Sequence, residues 1–294
     1  MEDHGFYLVD KNERGKFMFI ENLRYIAAMA HPGGGRNDIP NRLKRQFFIF
    51  NMTLPERIDL IFNPILKQVF KEEDYNEGVN NVIDHVAEAT IKLWKKIKNR
   101  LLPTPNKFHY VFNLRDVSRI FKGYCQIDKP TVKNCVSLGK SGISSEVFLI
   151  GLWRHECERV FVDKLIDNEE KKEIMKYIID GSHENFSDKS KEIGEYLDAK
   201  NIYFCDFLHE DILDEDGNVI EDAPKIYEGI SDLTRLRQRC LQLLGMFNAN
   251  PKFQSKKMDL VLFDDALSHL IRISRIIQMP RSSGLLVGVG GSGK

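Results

Sequence analysis

Hydrophobic residues recur every three or four positions through most of the chain between residues 55 and 280, which predicts a mainly helical middle. Charged residues occupy the opposite faces, as expected for helices that each bury one side. Leu102–Pro105 is predicted to end one helix, and Asn113 to cap the next. The predicted helices cover about residues 58–69, 79–101, 114–124, 144–165, 169–179, 233–246 and 264–277.

Short apolar runs near both ends of the chain have the pattern of strands instead. Tyr25–Ala30 and Phe47–Phe50 flank a glycine-rich loop and a short basic helix at Ile39–Gln46. This order predicts the C-terminal half of an α/β sheet module. Leu285–Val287 predicts a further buried strand, directly before a second glycine-rich stretch.

That second stretch, Gly288–Lys294, fits the phosphate-binding pattern G-x-x-x-x-G-K. Its glycines let successive backbone N–H groups turn toward one anion, and its lysine adds a positive charge for the β- and γ-phosphates. The alternative is a glycine-rich turn without a ligand. The Mg²⁺-binding hydroxyl and the acidic Walker B strand of such a module are expected beyond the chain. The candidate nucleotide-binding residues are Gly288, Val289, Gly290, Gly291, Ser292, Gly293 and Lys294.

The pattern divides the chain into three parts. Residues 1–54 are predicted to end one α/β subdomain, residues 55–250 to form a helical lid, and residues 251–294 to form a linker and the start of a second α/β module. Residues 167–228 are interpreted as an insertion in the lid, and the acidic run Glu210–Asp222 as a solvated surface. The predicted fold class is therefore α/β plus an α-helical lid, predominantly helical overall.

Arginines mark two further places of interest. Arg36, Arg42 and Arg45 cluster where a loop is predicted to leave the C-terminal edge of a sheet, at which ligands gather in open α/β folds. Arg115 lies in the first turn of the predicted helix 114–124, where the helix dipole disfavours a cation by up to about 1 kcal/mol. Its position suggests an anionic partner, which is either a ligand or a carboxylate such as that of Asp116.

Charge and cysteine content argue against several classes of function. The 43 basic and 43 acidic residues balance, so nothing favours nucleic acid or a membrane surface as a partner. The sequence shows neither an apolar run of membrane-spanning length nor a signal peptide. The five cysteines are scattered, which favours a reduced intracellular compartment and packing roles. His155–Glu158 is interpreted as structural helix, because neighbouring helical residues face different directions, and no metal site is predicted.

Besides the glycine-rich C-terminal stretch, four separated stretches are distinctive when taken together, namely Tyr25–Phe47 (YIAAMAHPGGGRNDIPNRLKRQF), Lys107–Arg119 (KFHYVFNLRDVSR), Trp153–Val160 (WRHECERV) and Leu260–Leu270 (LVLFDDALSHL). These stretches together resemble the dynein heavy chains, a family of concatenated AAA+ (P-loop NTPase) modules. The likeness covers nearly the whole chain. The matching region of the family is the junction of the third and fourth AAA+ modules, and the chain is most similar to axonemal, outer-arm heavy chains.

The resemblance implies roles for individual residues. Arg45, or alternatively Arg42, is similar to the arginine finger that reaches the γ-phosphate of the preceding module. Arg115 resembles the sensor-2 arginine of the lid. Ala30 falls at the sensor-1 position, where many AAA+ modules have Asn or Thr, which argues against water positioning by this strand. The short run Val261–Phe263, which consists of Val261, Leu262 and Phe263, resembles the segment that lines the adenine pocket of the fourth module.

The resemblance also implies a function for the parent protein. It implies an ATP-driven, minus-end-directed microtubule motor of cilia or flagella, with ATP or ADP and Mg²⁺ as ligands. The implied partners are neighbouring AAA+ modules and, through the parent, microtubules and dynein intermediate and light chains. The implied location is the cytoplasmic cytoskeleton, in the axoneme.

Two alternatives remain, namely a fragment of another concatenated AAA+ ring ATPase and a catalytically silent structural ring segment. The chain alone is predicted to lack ATPase activity, because neither module carries a P-loop and a Walker B strand together.

Overall fold

The computed structural model divides the chain into two compact units, residues 1–56 and 57–294. The first unit contains an antiparallel hairpin of strands β1 (Gly5–Tyr7) and β2 (Phe17–Phe19), and the short helix α1 (Asn41–Lys44). Helix α1 confirms the predicted basic helix. The structure describes residues 5–29, 38–53, 55–127, 129–134, 143–198, 202–210, 212–213, 219–221, 225–230, 233–251 and 256–286.

Two strand predictions in the first unit are wrong. Residues 25–29, the described part of the first predicted strand, and residues 47–50 are irregular, and both Ile26 and Phe48 are fully exposed. A strand needs a neighbour that pairs with its backbone, and none of the described residues pairs with either run. The apolar composition of these runs therefore does not make them strands.

The second unit is built mainly from helices, which confirms the predicted helical character of the chain. The helices are α2 (Asp59–Val69), α3 (Glu77–Arg100), α4 (Leu114–Tyr124), α5 (Lys129–Asn134), α6 (Ser145–Cys157), α7 (Asn168–Asn185), α8 (Ser190–Tyr196), α9 (Leu233–Ala249) and α10 (Asp264–Gln278). A π-helical turn at Glu158–Val162 follows α6, and short 3₁₀ turns lie at Glu72–Asp74 and Ser187–Lys189.

Helix α6 lies at the centre of this unit. Every residue from Glu146 to Cys157 is buried, because α3, α4, α5 and α7 all pack against it. Trp153 is fully buried, and its indole N–H donates to Thr90 Oγ1 of α3 at 2.9 Å. A helix that is covered on all sides fixes the relative positions of its neighbours.

Helix α4 begins where the sequence predicts. The Asn113 side chain accepts from the backbone N–H of Arg115 at 2.9 Å, and Asp116 Oδ2 accepts from the backbone N–H of Asn113 at 3.0 Å. This reciprocal arrangement is a capping box, a feature of which the N-cap alone typically contributes about 1 kcal/mol. The first turn of α4, and with it Arg115, is therefore held in a defined place.

Two strand pairs and a second apolar cluster complete the unit. Strand β3 (Tyr203–Cys205) pairs antiparallel with β6 (Glu228–Ile230), and β4 (Ile212–Leu213) pairs with β5 (Val219–Glu221). The cluster joins β3 and β6 to α9 and α10. Helix α10 is thereby packed onto the rest of the helical unit.

Among the described residues, none of the helices combines the length and apolar character required to cross a bilayer.

Candidate functional site

The predicted phosphate-binding loop, Gly288–Lys294, lies outside the described residues, as do Val287 and the predicted sensor-1 position Ala30. The structure does describe the chain that leads into the loop. After α10 the backbone turns at Arg281, which has a positive φ of 55°, and Gly284 lies against Ile276 of α10. The loop is therefore preceded by a short exposed segment that approaches α10 at Gly284.

The described part of the predicted strand Leu285–Val287 does not form a strand. Leu285 and Leu286 are irregular and 88% and 68% exposed. As in the first unit, the strand prediction is wrong for these two residues because no described strand pairs with them.

Arg115 is exposed on the first turn of α4. The alternative in which Asp116 neutralises it is wrong, because Asp116 Oδ1 pairs with Arg119 at 3.1 Å and its Oδ2 pairs with Lys164 at 3.1 Å. Among the described residues, no carboxylate forms an ion pair with the Arg115 guanidinium. In this part of the chain, the Arg115 guanidinium therefore stands at a helix N-terminus without an ion pair of its own, although the Asp116 carboxylate lies in the same turn.

Arg42 and Arg45 both lie at α1 in the first unit, where Arg42 is within the helix and Arg45 follows its last turn. Both side chains are exposed. Lys44, between them, pairs with Asp38 at 2.6 Å, and this hydrogen bond lowers the pKa of Asp38 below its ordinary value. The Asp38 carboxylate is thus bonded to Lys44, and the side chains of Arg42 and Arg45 lie on the exposed surface of this unit.

The predicted adenine-lining residues lie in an extended segment between α9 and α10. Val261 and Phe263 are exposed, whereas Leu262 is partly buried against the second apolar cluster. The Leu262 carbonyl accepts from Arg237 Nε at 2.9 Å, which anchors the segment to α9. Because successive side chains of an extended segment point in opposite directions, Val261 and Phe263 point away from the helices and their apolar surface is exposed.

An apolar groove lies on the helical side of this segment. Its volume is ≈ 530 Å³, and its walls are formed by α9, α10 and the extended segment. The groove includes Leu262 but neither Val261 nor Phe263, so only one of the three predicted residues faces it.

A buried charge cluster is the feature that sequence reasoning missed. Glu156 is fully buried and accepts from Arg159 at 2.9 Å and from Arg275 at 3.2 Å. Although burial alone raises the pKa of Glu156, the two guanidinium groups hold it below its ordinary value. The available signal was Arg275 itself, which continues the buried face that Leu267 and Ile271 establish on α10.

His155 and Glu156 face different parts of the core, as predicted for neighbouring residues of one helix; His155, Glu156 and Cys157 end α6, and Glu158 begins the π-helical turn. The His155 ring packs on Phe204 at 5.1 Å, while Glu156 is held by the arginines. In the described part of the chain, no group of three or more His, Cys, Asp or Glu residues is placed to hold a metal ion. Three of the described cysteines, Cys157, Cys205 and Cys240, are buried, as packing residues would be.

His155 is expected to make the fold sensitive to mild acid. Burial lowers the pKa of His155 to about 3 from an ordinary value of 6.5. Below pH 6.5 the unfolded chain gains a proton that the folded chain does not, so the free energy of unfolding falls as the pH falls. This contribution amounts to about 1.4 kcal/mol between pH 7.5 and 5.5. Urea denaturation at the two pH values measures it.

The matched variants for this measurement are His155→Phe and His85→Phe. Phenylalanine preserves the packing on Phe204 and removes the titrating group, so His155→Phe is expected to lose about 1.4 kcal/mol of the pH dependence. His85 is exposed on α3, and its replacement is expected to leave the dependence unchanged. An equal slope in wild type and His155→Phe would contradict the assignment.

Comparisons with known proteins agree with this architecture. A model of the AAA+ lid domain matches residues 86–195, a model of the P-loop containing dynein motor region matches residues 1–55, and a model of the P-loop containing dynein motor region D4 matches residues 258–294. The chain is thus a segment of an AAA+ protein, in which a helical lid stands between parts of two P-loop motor regions.

Curated relatives identify the family within that class. The dynein gamma chain of the flagellar outer arm from Chlamydomonas reinhardtii is 41% identical over 100% of this chain, and mouse dynein axonemal heavy chain 5 is 40% identical over 100%. Human dynein axonemal heavy chain 8 is 40% identical over the same share. The chain belongs to the dynein heavy chain family. It spans only 7%, 6% and 6% of the length of these three relatives.

Proposed function

We propose that this chain is a segment of an ATP-driven, minus-end-directed microtubule motor of cilia or flagella, and that it joins the third AAA+ module to the fourth. The names of its relatives, which include a flagellar outer-arm chain and axonemal heavy chains, support an axonemal location. The order of the matched parts supports the junction. Neighbouring AAA+ modules, microtubules and dynein intermediate and light chains are then the partners of the parent protein.

The observation that carries a nucleotide role is the placement of Arg115. A capping box fixes this arginine at the first turn of α4, and Asp116 is committed to Arg119 and Lys164. The bound γ-phosphate of the third module's nucleotide is the anion that this site suits. Arg45, with Arg42 as the alternative, is assigned to the nucleotide of the preceding module as a finger in trans.

The hydrogen-bond donors of Gly288–Lys294 fit a nucleoside triphosphate, because the sequence supplies backbone N–H groups and one lysine in the spacing that phosphates require. Val261 and Phe263 offer exposed apolar surface that an adenine ring could cover. ATP or ADP, accompanied by Mg²⁺, would supply the phosphate chemistry in the parent protein. The role of this chain's residues is to bind and orient the phosphates, and the chain alone is expected to show no turnover.

Lys294→Ala tests the phosphate-binding assignment in the full heavy chain. Loss of one charge-assisted contact is expected to weaken nucleotide binding at this loop about 10- to 100-fold. Photolabelling with 8-azido-ATP, resolved peptide by peptide, reports each module separately. Lys257→Ala, at an exposed lysine in the preceding linker, is the matched control. Equal labelling of the fourth module in wild type and Lys294→Ala would reject the assignment.

Arg115→Ala tests the lid assignment in the same protein. We expect nucleotide binding at the third module to weaken about tenfold or more, because a charged hydrogen-bond donor to phosphate is lost. Arg119→Ala one turn further along α4 is the control, since Arg119 is 64% exposed and pairs with Asp116. If Arg115→Ala and Arg119→Ala behave alike, Arg115 has no role in nucleotide binding.

Arg45→Ala tests the proposed finger in trans. It is expected to impair the nucleotide site of the second module and to leave folding intact.

A further inference from the structure

The C-terminal end of α10 is tied to the C-terminal end of α4 by a buried arginine. Arg275 Nη2 donates to the carbonyl of Gly123 at 2.9 Å and to Glu156 Oε1 at 3.2 Å, and its guanidinium lies 3.8 Å from the centre of the Tyr227 ring. Arg275 is 5% exposed, so these contacts are made out of water. One side chain therefore connects α10 to α4 and α6 at the same time.

Gly123 makes this connection possible. A Cβ atom at position 123 would overlap the carboxylate of Glu156, so only glycine leaves the space in which Glu156 meets Arg275. The backbone of Gly123 is helical, and glycine is unfavourable in a helix by about 1 kcal/mol relative to alanine. The close approach of the carboxylate is the physical reason for a glycine here.

Further contacts hold the same end of α10. Lys122 Nζ donates to the carbonyl of Pro280, and Arg159 Nη2 lies 3.3 Å from the sulfur of Met279. Arg272 pairs with Asp163 at 2.8 Å, just after the π-helical turn. The contacts at Met279 and Pro280 lie a few residues before the predicted phosphate-binding loop. The chain is thus held at Met279 and Pro280 by α4 and by the π-helical turn that follows α6.

The other end of α4 carries Arg115. The helix contains 11 residues, so at 1.5 Å per residue its two ends lie about 15 Å apart. One rigid element therefore joins the candidate nucleotide-sensing arginine of one module to the segment that leads into the phosphate-binding loop of the next.

We propose that α4 and the Gly123–Glu156–Arg275 contact form a coupling device, in which Arg275 is a positioning residue for α10, the helix that precedes the predicted phosphate-binding loop. The proposal rests on the nucleotide role of Arg115. A displacement of α4 when Arg115 meets a phosphate is passed through the Gly123 carbonyl and Glu156 to Arg275, and so to α10. A buried ion pair suits this role because it fixes one relative position of the helices, whereas an apolar contact would permit sliding.

The test uses the full heavy chain carrying Lys294→Ala, so that nucleotide effects on α10 do not arise from its own loop. Hydrogen exchange of peptides covering 112–118 and 264–278 is measured by mass spectrometry without nucleotide and with saturating AMP-PNP, an ATP analogue that keeps a γ-phosphate group. We expect AMP-PNP to change the exchange rate several-fold in both peptides. Adding Gly123→Ala is expected to reduce the α10 response to less than twofold while the response of residues 112–118 remains.

Three further variants define the result. Gly245→Ala is the matched control, because a Cβ at position 245 of α9 meets nothing within 4 Å, and it is expected to keep both responses. Arg275→Lys keeps the charge but shortens the side chain and removes the planar guanidinium that lies over the Tyr227 ring, and it is expected to weaken the α10 response at least twofold even if Gly123→Ala fails to fold. Arg115→Ala is expected to remove both responses.

An α10 response that survives Gly123→Ala and Arg275→Lys would overturn the coupling and leave the nucleotide role of Arg115 standing. The absence of any AMP-PNP response in residues 112–118 would overturn that nucleotide role, and the coupling with it.

Discussion

Replacing Trp153 with alanine is expected to lower the free energy of unfolding of this chain by about 3–5 kcal/mol. Trp153 is fully buried on α6, packs edge-on against Phe186 at 5.9 Å, and bonds to Thr90 of α3. The change leaves a cavity where α3, α6 and α7 meet, and these helices cannot close it without moving one another. Urea denaturation followed by far-UV circular dichroism measures the loss.

Trp94 provides a comparison that separates the hydrogen bond from the volume. It is 2% exposed on α3, but its indole N–H has no hydrogen-bond partner in the described structure, whereas that of Trp153 donates to Thr90. Trp153→Phe is therefore expected to cost about 0.5–1.5 kcal/mol more than Trp94→Phe. Equal losses would show that the bond to Thr90 contributes nothing to stability.

Helix positions could be predicted from the sequence because the signals are local. The apolar period of α3 and the Asn113–Asp116 capping box need only residues within a few turns, and both elements appear where they are predicted. The prediction fails where polar residues continue a helix. The helix predicted over residues 169–179 extends as α7 to Asn185 and a 3₁₀ turn follows it, because Ser182 is buried and bonds to the Ile179 carbonyl.

The strands and the buried charges could not be predicted, for a different physical reason. Phe47–Phe50 has the composition of a strand, but strand formation depends on a partner that composition does not reveal. Glu156 and Arg275 are separated by more than a hundred residues, so each appears alone as an ordinary surface charge. Their pairing becomes visible only when α6 and α10 are seen together. The role of Arg115 is intermediate, since its helix position was predictable and the commitment of Asp116 to other partners was not.

Glu156→Ala is expected to destabilise the chain by about 3–5 kcal/mol, because it leaves Arg159 and Arg275 buried without their common carboxylate. The side-chain exposures of the three residues are 0%, 8% and 5%, so water cannot replace the lost partner without opening the core. Glu88→Ala is the control, since the Glu88–Lys92 pair is 60% and 61% exposed and such pairs contribute about 0–1 kcal/mol.

A variant that removes all three charges distinguishes stability from positioning. In Glu156→Leu/Arg159→Met/Arg275→Met the desolvation cost of the charges disappears along with their attraction, so most of the stability lost in Glu156→Ala is expected to return. The coupling of α10 to α4 is not expected to return, because the two hydrogen bonds from Arg275 Nη2 to the Gly123 carbonyl and to Glu156 are still absent. Urea denaturation measures the first quantity and hydrogen exchange of residues 264–278 the second. A triple variant that recovers both would mean that apolar packing alone positions α10, and that the charges at this junction are replaceable.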